Sequence, residues 1–391
     1  AMWPHFSAVA QFFCLVFSGV AALCARNKKG SSAQNPLPSP IEKKSASPLQ
    51  QKAIEPPLNT QPAPQKGKEK PTTAPTVPLT EKTEDDGPAA ANESATVDRR
   101  AEWAAGIVKM SAKSLADEFN KDLKNYIAPK KNRKAHDANM EKNRYSDIPC
   151  YDSSRVKLTS SSVATERTAV SSDPTNNDYI HASWMKAPNG QIFIAAQGPL
   201  KDTVEDFWAM VIQEKAAVIL QLCDFVESKQ EKCAVYWPVD SDSMSFGSIQ
   251  VSVSKRQEDV MKGVHHCTLQ VVSGPTQQSV EHVFVTNWPD QLAPDDPVVV
   301  VDTWRWILRR FPASPVVVHC SAGVGRTGTF IGLSYANELL RAHPVEVPLI
   351  GMADIVKRMR AIRCKSVQTY VQYLCLHAAV LELFAQEKMI E

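Results

Sequence analysis

Hydrophobic positions are laid out along this chain in three different ways. Residues Phe6 to Ala25 carry no charge and run Phe12-Phe13-Cys14-Leu15-Val16-Phe17-Ser18-Gly19-Val20-Ala21-Ala22-Leu23-Cys24-Ala25, close to the roughly twenty apolar residues that cross a bilayer. Residues 26–100 turn to Pro, Lys, Ser, Thr, Gln and Ala with almost no aromatics, and hold 12 of the chain's 27 prolines. Such a segment cannot bury enough apolar surface to offset its ordering entropy, so it reads as a disordered tether. Near Glu102 the pattern becomes periodic, and residues 101–391 read as one folded unit. Trp103, Ile107, Met110, Leu115, Phe119 and Leu123 recur at helical spacing and predict one or two helices ahead of a sheet.

Further on, Asp178–Ser183 and Phe193–Leu200 read as strands with short turns, Asp206–Val211 as a helix core, and Ala217–Leu222 as a buried strand. Three segments alternate with period two, Ile249–Val253, Thr268–Val272 and Val280–Val285, and predict antiparallel strands. Asp295-Asp296-Pro297 caps a helix over Val298 to Arg310. Val316-Val317-Val318 is a short buried strand, Thr329–Leu340 a helix stopped near Pro344, and Tyr373–Phe384 a helix with an apolar face that should pack on the sheet.

The uncharged N-terminal run is followed at once by Arg26, Lys28 and Lys29, with nothing basic ahead of it. That asymmetry predicts a single-pass anchor with the rest of the chain in the cytosol. A cleaved signal peptide is the rival, since Leu23-Cys24-Ala25 is a passable cleavage site; the missing basic n-region counts against it. The first residue is Ala1 rather than Met, as it would be in a fragment lacking an extracellular part. Within the tether, Pro75-Thr76-Val77-Pro78 has the spacing of an SH3 ligand, which Pro-rich sequence also produces by chance. Asn92-Glu93-Ser94 is a glycosylation sequon that a cytosolic placement would leave unused.

Charge and cysteines exclude more than they suggest. The net charge is +2 and no basic stripe is interleaved with aromatics, so no nucleic-acid role is assigned. Nine cysteines at irregular spacing without CxxC pairs give neither a disulfide framework nor a metal site.

One stretch carries chemistry: His319-Cys320-Ser321-Ala322-Gly323-Val324-Gly325-Arg326-Thr327-Gly328. A buried strand that turns through glycines into a helix N-terminus gathers backbone N–H groups and the positive end of the helix dipole, which makes an anion site. Cys320 falls at the base of this cradle and Arg326 at its rim. A thiol of pKa about 8.5 can be lowered by several units in such surroundings, giving a nucleophile aimed at phosphorus. Taken alone, a Cys and an Arg six apart arise by chance, and a buried Cys is usually inert packing. Here His319, Ser321, Ala322, Gly323, Gly325 and Thr327 add to the pair.

The stretch resembles the signature loop of the classical protein tyrosine phosphatases, Cys-x5-Arg followed by Ser/Thr and Gly. Further blocks resemble the family in its order over about residues 115–388. Lys142–Ile148 with Tyr151–Val156 is similar to its phosphotyrosine-recognition loop. Trp288-Pro289-Asp290 is similar to its mobile acid loop, and Ser366–Tyr373 to its glutamine loop. The resemblance implies an α/β fold with a highly twisted mixed central β-sheet flanked by α-helices. It implies hydrolysis of protein phosphotyrosine in signalling, through a phosphocysteine intermediate and without a metal or other cofactor. Cys320 would be the nucleophile, with Arg326 and the amides of Ser321, Ala322, Gly323, Val324 and Gly325 holding phosphate oxygens. Asp290 would protonate the leaving tyrosine and later deprotonate water. Gln368 would position that water with Gln372 in support, and Thr327 would stabilise the departing thiolate. Tyr145 would set a pocket depth that phosphoserine cannot span, and Asp147 would accept hydrogen bonds from the substrate backbone. Glu227 would hold the Arg326 guanidinium in a bidentate pose, Lys232 would lie near the acid, Trp288 would anchor the acid loop, and His319 would support the signature loop.

Without the resemblance, several of these residues have plainer readings: Tyr145 as a surface residue, Asp290 as turn chemistry, Glu227 and Lys232 as a solvated loop. The chain also departs from the family's pattern. His181 stands where Asn is usual, with a role that reads as structural. Leu292 replaces a Gly two residues after Asp290, which restricts the backbone and would slow loop closure. These two support an alternative, a catalytically weak phosphotyrosine-binding pseudophosphatase. A phosphoinositide or dual-specificity phosphatase would want a shallower or more basic pocket than the Tyr145 loop implies.

Overall fold

The computed structural model describes residues 96–159 and 178–390. The uncharged run, the PxxP match and the sequon lie outside them. Among the described residues no helix is long and apolar enough to cross a membrane.

Nine strands form one mixed sheet. They are β1 (Arg155–Lys157), β2 (Tyr179–Lys186), β3 (Ile192–Ala196), β4 (Val218–Gln221), β5 (Ser243–Phe246), β6 (Ile249–Met261), β7 (Val264–Ser273), β8 (Thr276–Val285) and β9 (Val316–His319). Their spatial order is β1-β2-β3-β9-β4-β8-β7-β6-β5. The four central strands β3, β9, β4 and β8 run parallel, and the flanks are antiparallel. In β9, Val316, Val317 and Val318 are fully buried, which is why they form an apolar run instead of an alternation.

The parallel register has a functional consequence. His319 is level with Ala196 and Gln221, and Phe284 is level with Gln221. All four central strands therefore end at one edge. The loops that leave it carry Gln197-Gly198, Glu227 with Lys232, Trp288 with Asp290, and Cys320. A ligand site belongs at this carboxyl edge of a parallel sheet.

The helices of eight residues or more are α1 (Arg100–Ile107), α2 (Ala112–Asp122), α3 (Val204–Gln213), α4 (Val298–Arg310), α5 (Arg326–Arg341), α6 (Met352–Arg360) and α7 (Tyr370–Gln386). The α5 helix is buried along nearly its whole length, against β3 and β9 on one side and α6 and α7 on another. Ser111 Oγ accepts from Ser114 N to cap α2, Thr369 and Gln372 form a capping box on α7, and Asp296 Oδ1 accepts from Val298 N at the start of α4.

Two features depart from the sequence pattern. The β6–β8 strands run 13, 10 and 10 residues, well past the alternating segments. Beyond them the side chains include Lys255, Arg256, Gln277 and Gln278, which need no core face once the backbone ladder is formed. Residues 96–100, tether-like in composition, belong to the folded unit. Thr96–Val97 pairs with His343–Pro344, and the buried Arg100 reaches Asn337 Oδ1 at 3.0 Å and Glu387 Oε2 at 2.7 Å.

Candidate active site

Between β9 and α5 the chain makes a tight bowl. Gly323 has φ +67°, and a Cβ there would overlap the Ala196 carbonyl; only glycine fits both constraints. At Gly325 a Cβ would come within 2.7 Å of Gln372 Nε2. The bowl opens into a cavity of about 260 Å³ whose walls include Cys320, Ser321, Ala322, Gly325, Arg326 and Gln368 below, and Tyr145, Asp147, Lys232 and Asp290 above. Cys320 is 3% exposed, and its Sγ accepts the Gly323 N–H at 3.3 Å.

The Arg326 guanidinium is nearly fully buried and clamped. Its Nη1 donates to Glu227 Oε1 at 2.6 Å and to the Trp288 carbonyl at 2.8 Å, and its Nη2 reaches Glu227 Oε2 at 3.3 Å and Asp290 Oδ1 at 3.2 Å. Burial works against its charge, but the neighbouring Cys320 and Glu227 outweigh that and raise its pKa above the usual arginine value. Asp290 is drawn in from both sides, since Lys232 Nζ lies 3.0 Å from its Oδ2. The acid loop is thus docked on the bowl. Trp288 Nε1 donates to the Leu292 carbonyl at 2.9 Å, and residue 291, not 292, takes the left-handed conformation (φ +59°). Leu292 packs against the core with an ordinary backbone.

The remaining residues divide into wall and support. Tyr145 Oη lies 2.9 Å from Ser321 Oγ, which itself donates to the Lys232 carbonyl at 2.9 Å; Tyr145 must then be the donor. Asp147 stands at the cavity mouth with its Oδ2 2.7 Å from Lys365 Nζ. His319 is buried, with Nε2 2.8 Å from Tyr236 Oη and Nδ1 3.3 Å from the Cys320 carbonyl. Burial pushes its pKa down to about 4, so it is a neutral structural imidazole.

Three further expected residues sit around the loop. Gln372 is buried behind the wall, where its Oε1 accepts from Gln368 N at 3.0 Å and Thr369 N at 3.2 Å; it holds the loop that carries Gln368 and does not face the cavity. The Val324 side chain points into the core, and its carbonyl accepts from Gly328 N and Val367 N. Thr327 Oγ1 has no hydrogen-bond partner among the described residues, and the donor to the sulfur is Gly323 N.

Sequence reasoning missed Arg363. This buried side chain donates from Nε to the Gly323 carbonyl at 3.1 Å and from Nη2 to the Ala322 carbonyl at 3.2 Å. Holding those carbonyls fixes the peptide planes of the loop that carries Cys320. The same Nη2 lies 3.0 Å from His181 Nδ1, while His181 Nε2 lies 2.8 Å from the Ile148 carbonyl. Burial, then Arg363, keeps the His181 pKa well below the ordinary histidine value. A neutral His181 therefore accepts from Arg363 and donates to the recognition loop, tying the two together. Its burial inside a strand hid this at the level of sequence.

The sequence model described as Protein-tyrosine phosphatase matches residues 139–382. The chain belongs to that family. It is 35% identical over 271 residues to human tyrosine-protein phosphatase non-receptor type 9, covering 64% of this chain and 43% of that protein. It is 38% identical over 251 residues to human receptor-type tyrosine-protein phosphatase alpha, covering 62% and 29%. The crystal structure of the catalytic domain of human protein tyrosine phosphatase non-receptor type 18 matches with a TM-score of 0.57 at 28% identity, covering 70% of this chain and 93% of that one. The chain spans less than half the length of these curated relatives. Within the protein-tyrosine phosphatase domain, the mixed sheet with its helices is the fold the resemblance implied.

Proposed function

We propose that this chain hydrolyses phosphotyrosine in proteins through a phosphocysteine intermediate. The observation that carries the reading is the Cys320 sulfur in the cavity, accepting the Gly323 N–H, with the clamped Arg326 guanidinium and the Asp290 carboxyl lining the same space. A phosphoryl group in the bowl meets Arg326 and the loop amides, which stabilise charge as it builds on the equatorial oxygens. The sulfur attacks phosphorus, and Asp290 gives its proton to the tyrosyl oxygen as the P–O bond breaks. Water next to Gln368 then attacks the phosphocysteine, with Asp290 taking the proton, and the sulfur leaves.

A solved protein tyrosine phosphatase of the same family is described in complex with phosphotyrosine peptides, which supports that substrate class here. Neither support for a pseudophosphatase survives well: His181 fills a buried bridging role, and Leu292 sits unstrained. Membrane attachment through residues 6–25, with the catalytic unit on the cytosolic side, is part of the same proposal and rests on the sequence pattern alone. The deciding test is release of phosphate from phosphotyrosyl against phosphoseryl peptides. The native chain should cleave only the former. Cys320→Ser should bind the phosphotyrosyl peptide without cleaving it, and turnover by that variant would exclude the covalent step.

A further inference from the structure

Beside β6, β7 and β8 lies a groove of about 370 Å³ that the proposed reaction does not use. Phe225, Trp237 and Phe284 form its walls, with His282 at its base and Arg256 at its rim. The volume suits a small molecule. The Trp237 and His282 rings stack obliquely at 4.5 Å, and His265 lies against Phe284 at 6.2 Å. The walls thus favour a flat aromatic body.

Charge narrows the ligand. Arg256 Nη2 is held by the carbonyls of Pro238 and Ser241, both at 3.0 Å, so its guanidinium is fixed at the rim. No carboxylate is among the described lining residues. Glu281 is taken up by His266 Nε2 at 2.5 Å, and among the described lining residues an aromatic cage with a fixed guanidinium favours an anion over a cation. Cys267 is also in the wall, but burial pushes its thiol up to about 12, which leaves non-covalent binding as the chemistry.

Two short routes join this groove to the bowl. Through one, His282 Nε2 lies 2.7 Å from Tyr236 Oη, which lies 2.8 Å from His319 Nε2, the neighbour of Cys320. Through the other, the Phe225 carbonyl accepts from Lys232 N at 2.8 Å, and Lys232 holds both Ser321 and Asp290. We propose that the groove bounded by Phe225, Trp237, Phe284 and Arg256 binds an aromatic carboxylate and transmits its occupancy to the catalytic loop through His282, Tyr236 and His319. The effect on turnover rests on the phosphatase reading, whereas the binding does not.

The test is calorimetric titration of the full chain with 1-naphthoate while orthovanadate saturates the Cys320 bowl. Binding should persist under vanadate and weaken about tenfold or more in Arg256→Gln and in Val239→Trp, where Val239 is a lining residue whose enlargement fills the groove. The cationic analogue 1-naphthylmethylammonium should not bind. With a phosphotyrosyl peptide, saturating naphthoate should change kcat by about fivefold with KM unmoved. Tyr236→Phe should bind naphthoate yet lose that response. Displacement by vanadate, equal affinity in Arg256→Gln, or no binding at about 10 mM would overturn the site. Binding with no response of kcat in a chain that turns over would overturn the relay. A chain that binds naphthoate but cleaves no phosphotyrosine would instead count against the phosphatase reading.

Discussion

Lys232 Nζ stands 3.0 Å from Asp290 Oδ2. The pair joins the loop after β4 to the loop after β8, two segments 58 residues apart in sequence. It holds Asp290 at the wall of the cavity that Cys320 also lines and fixes the direction in which its carboxyl faces. A proton donor set in place before substrate arrives loses little to disorder at the moment of bond breaking.

Asp290→Asn keeps the shape and removes the group proposed to give its proton to the leaving tyrosine. We expect kcat on phosphotyrosyl peptide to fall by about 10²–10⁴. The loss should be smaller on 4-nitrophenyl phosphate, whose leaving group needs less protonation. Steady-state rates on both substrates check this, and equal losses would remove Asp290 from the role of acid.

Glu227→Ala strips a nearly fully buried guanidinium of its bidentate partner. Breaking a buried pair by removing one member costs about 3–5 kcal/mol, so denaturant unfolding should show a clear drop in stability. The kcat/KM should fall too, because Arg326 loses its pose. Full activity in that variant would mean that Trp288 and Asp290 suffice to hold the arginine.

Tyr145 separates ring from hydroxyl in its contribution. Tyr145→Phe loses one hydrogen bond to Ser321 and should cost about threefold in kcat/KM or less. Tyr145→Ala removes the wall of the slot and should cost about tenfold or more on phosphotyrosyl peptide. Its discrimination against phosphoserine should shrink in the same assay.

Stability should depend on pH through buried histidines. Burial pushes His319 and His377 down to about 4 and holds His181 and His282 well below the usual value. These rings are neutral in the fold and titrate near 6.5 in the unfolded chain. Between about pH 6.5 and 4 the unfolded state therefore binds more protons, and stability rises with pH. The contribution is complete above that window and is lost as pH falls through it, by up to about 1.4 kcal/mol per pH unit for each histidine. Urea melts at pH 7.5 and pH 5 should show a lower midpoint at pH 5. An unchanged midpoint would contradict the neutral assignment.

Much of the machinery was legible because local sequence dictates it. The Val316–Val318 run, the glycines after Cys320 and the apolar spacing of α5 specify a strand, a turn and a buried helix with no help from elsewhere. Cys320 and Arg326 lie within one loop, so their proximity needs only that local geometry. Glu227, Lys232 and Asp290 were legible only through resemblance, since nothing in their own neighbourhoods distinguishes them from a solvated loop or a turn.

Sequence alone determined the chemistry of the signature loop, the periodic elements around it and the change of composition near residue 100. Tertiary structure decided what surrounds that loop. It brought Arg363 beneath the carbonyls of Ala322 and Gly323, withdrew Gln372 behind the wall, and gave Asp147 a partner in Lys365. The contacts of Arg363 and Asp147 join residues 40 to 218 positions apart. The physical reason is that hydrogen bonds and ion pairs depend on distance in space, which the parallel register of four strands sets and which no local spacing records.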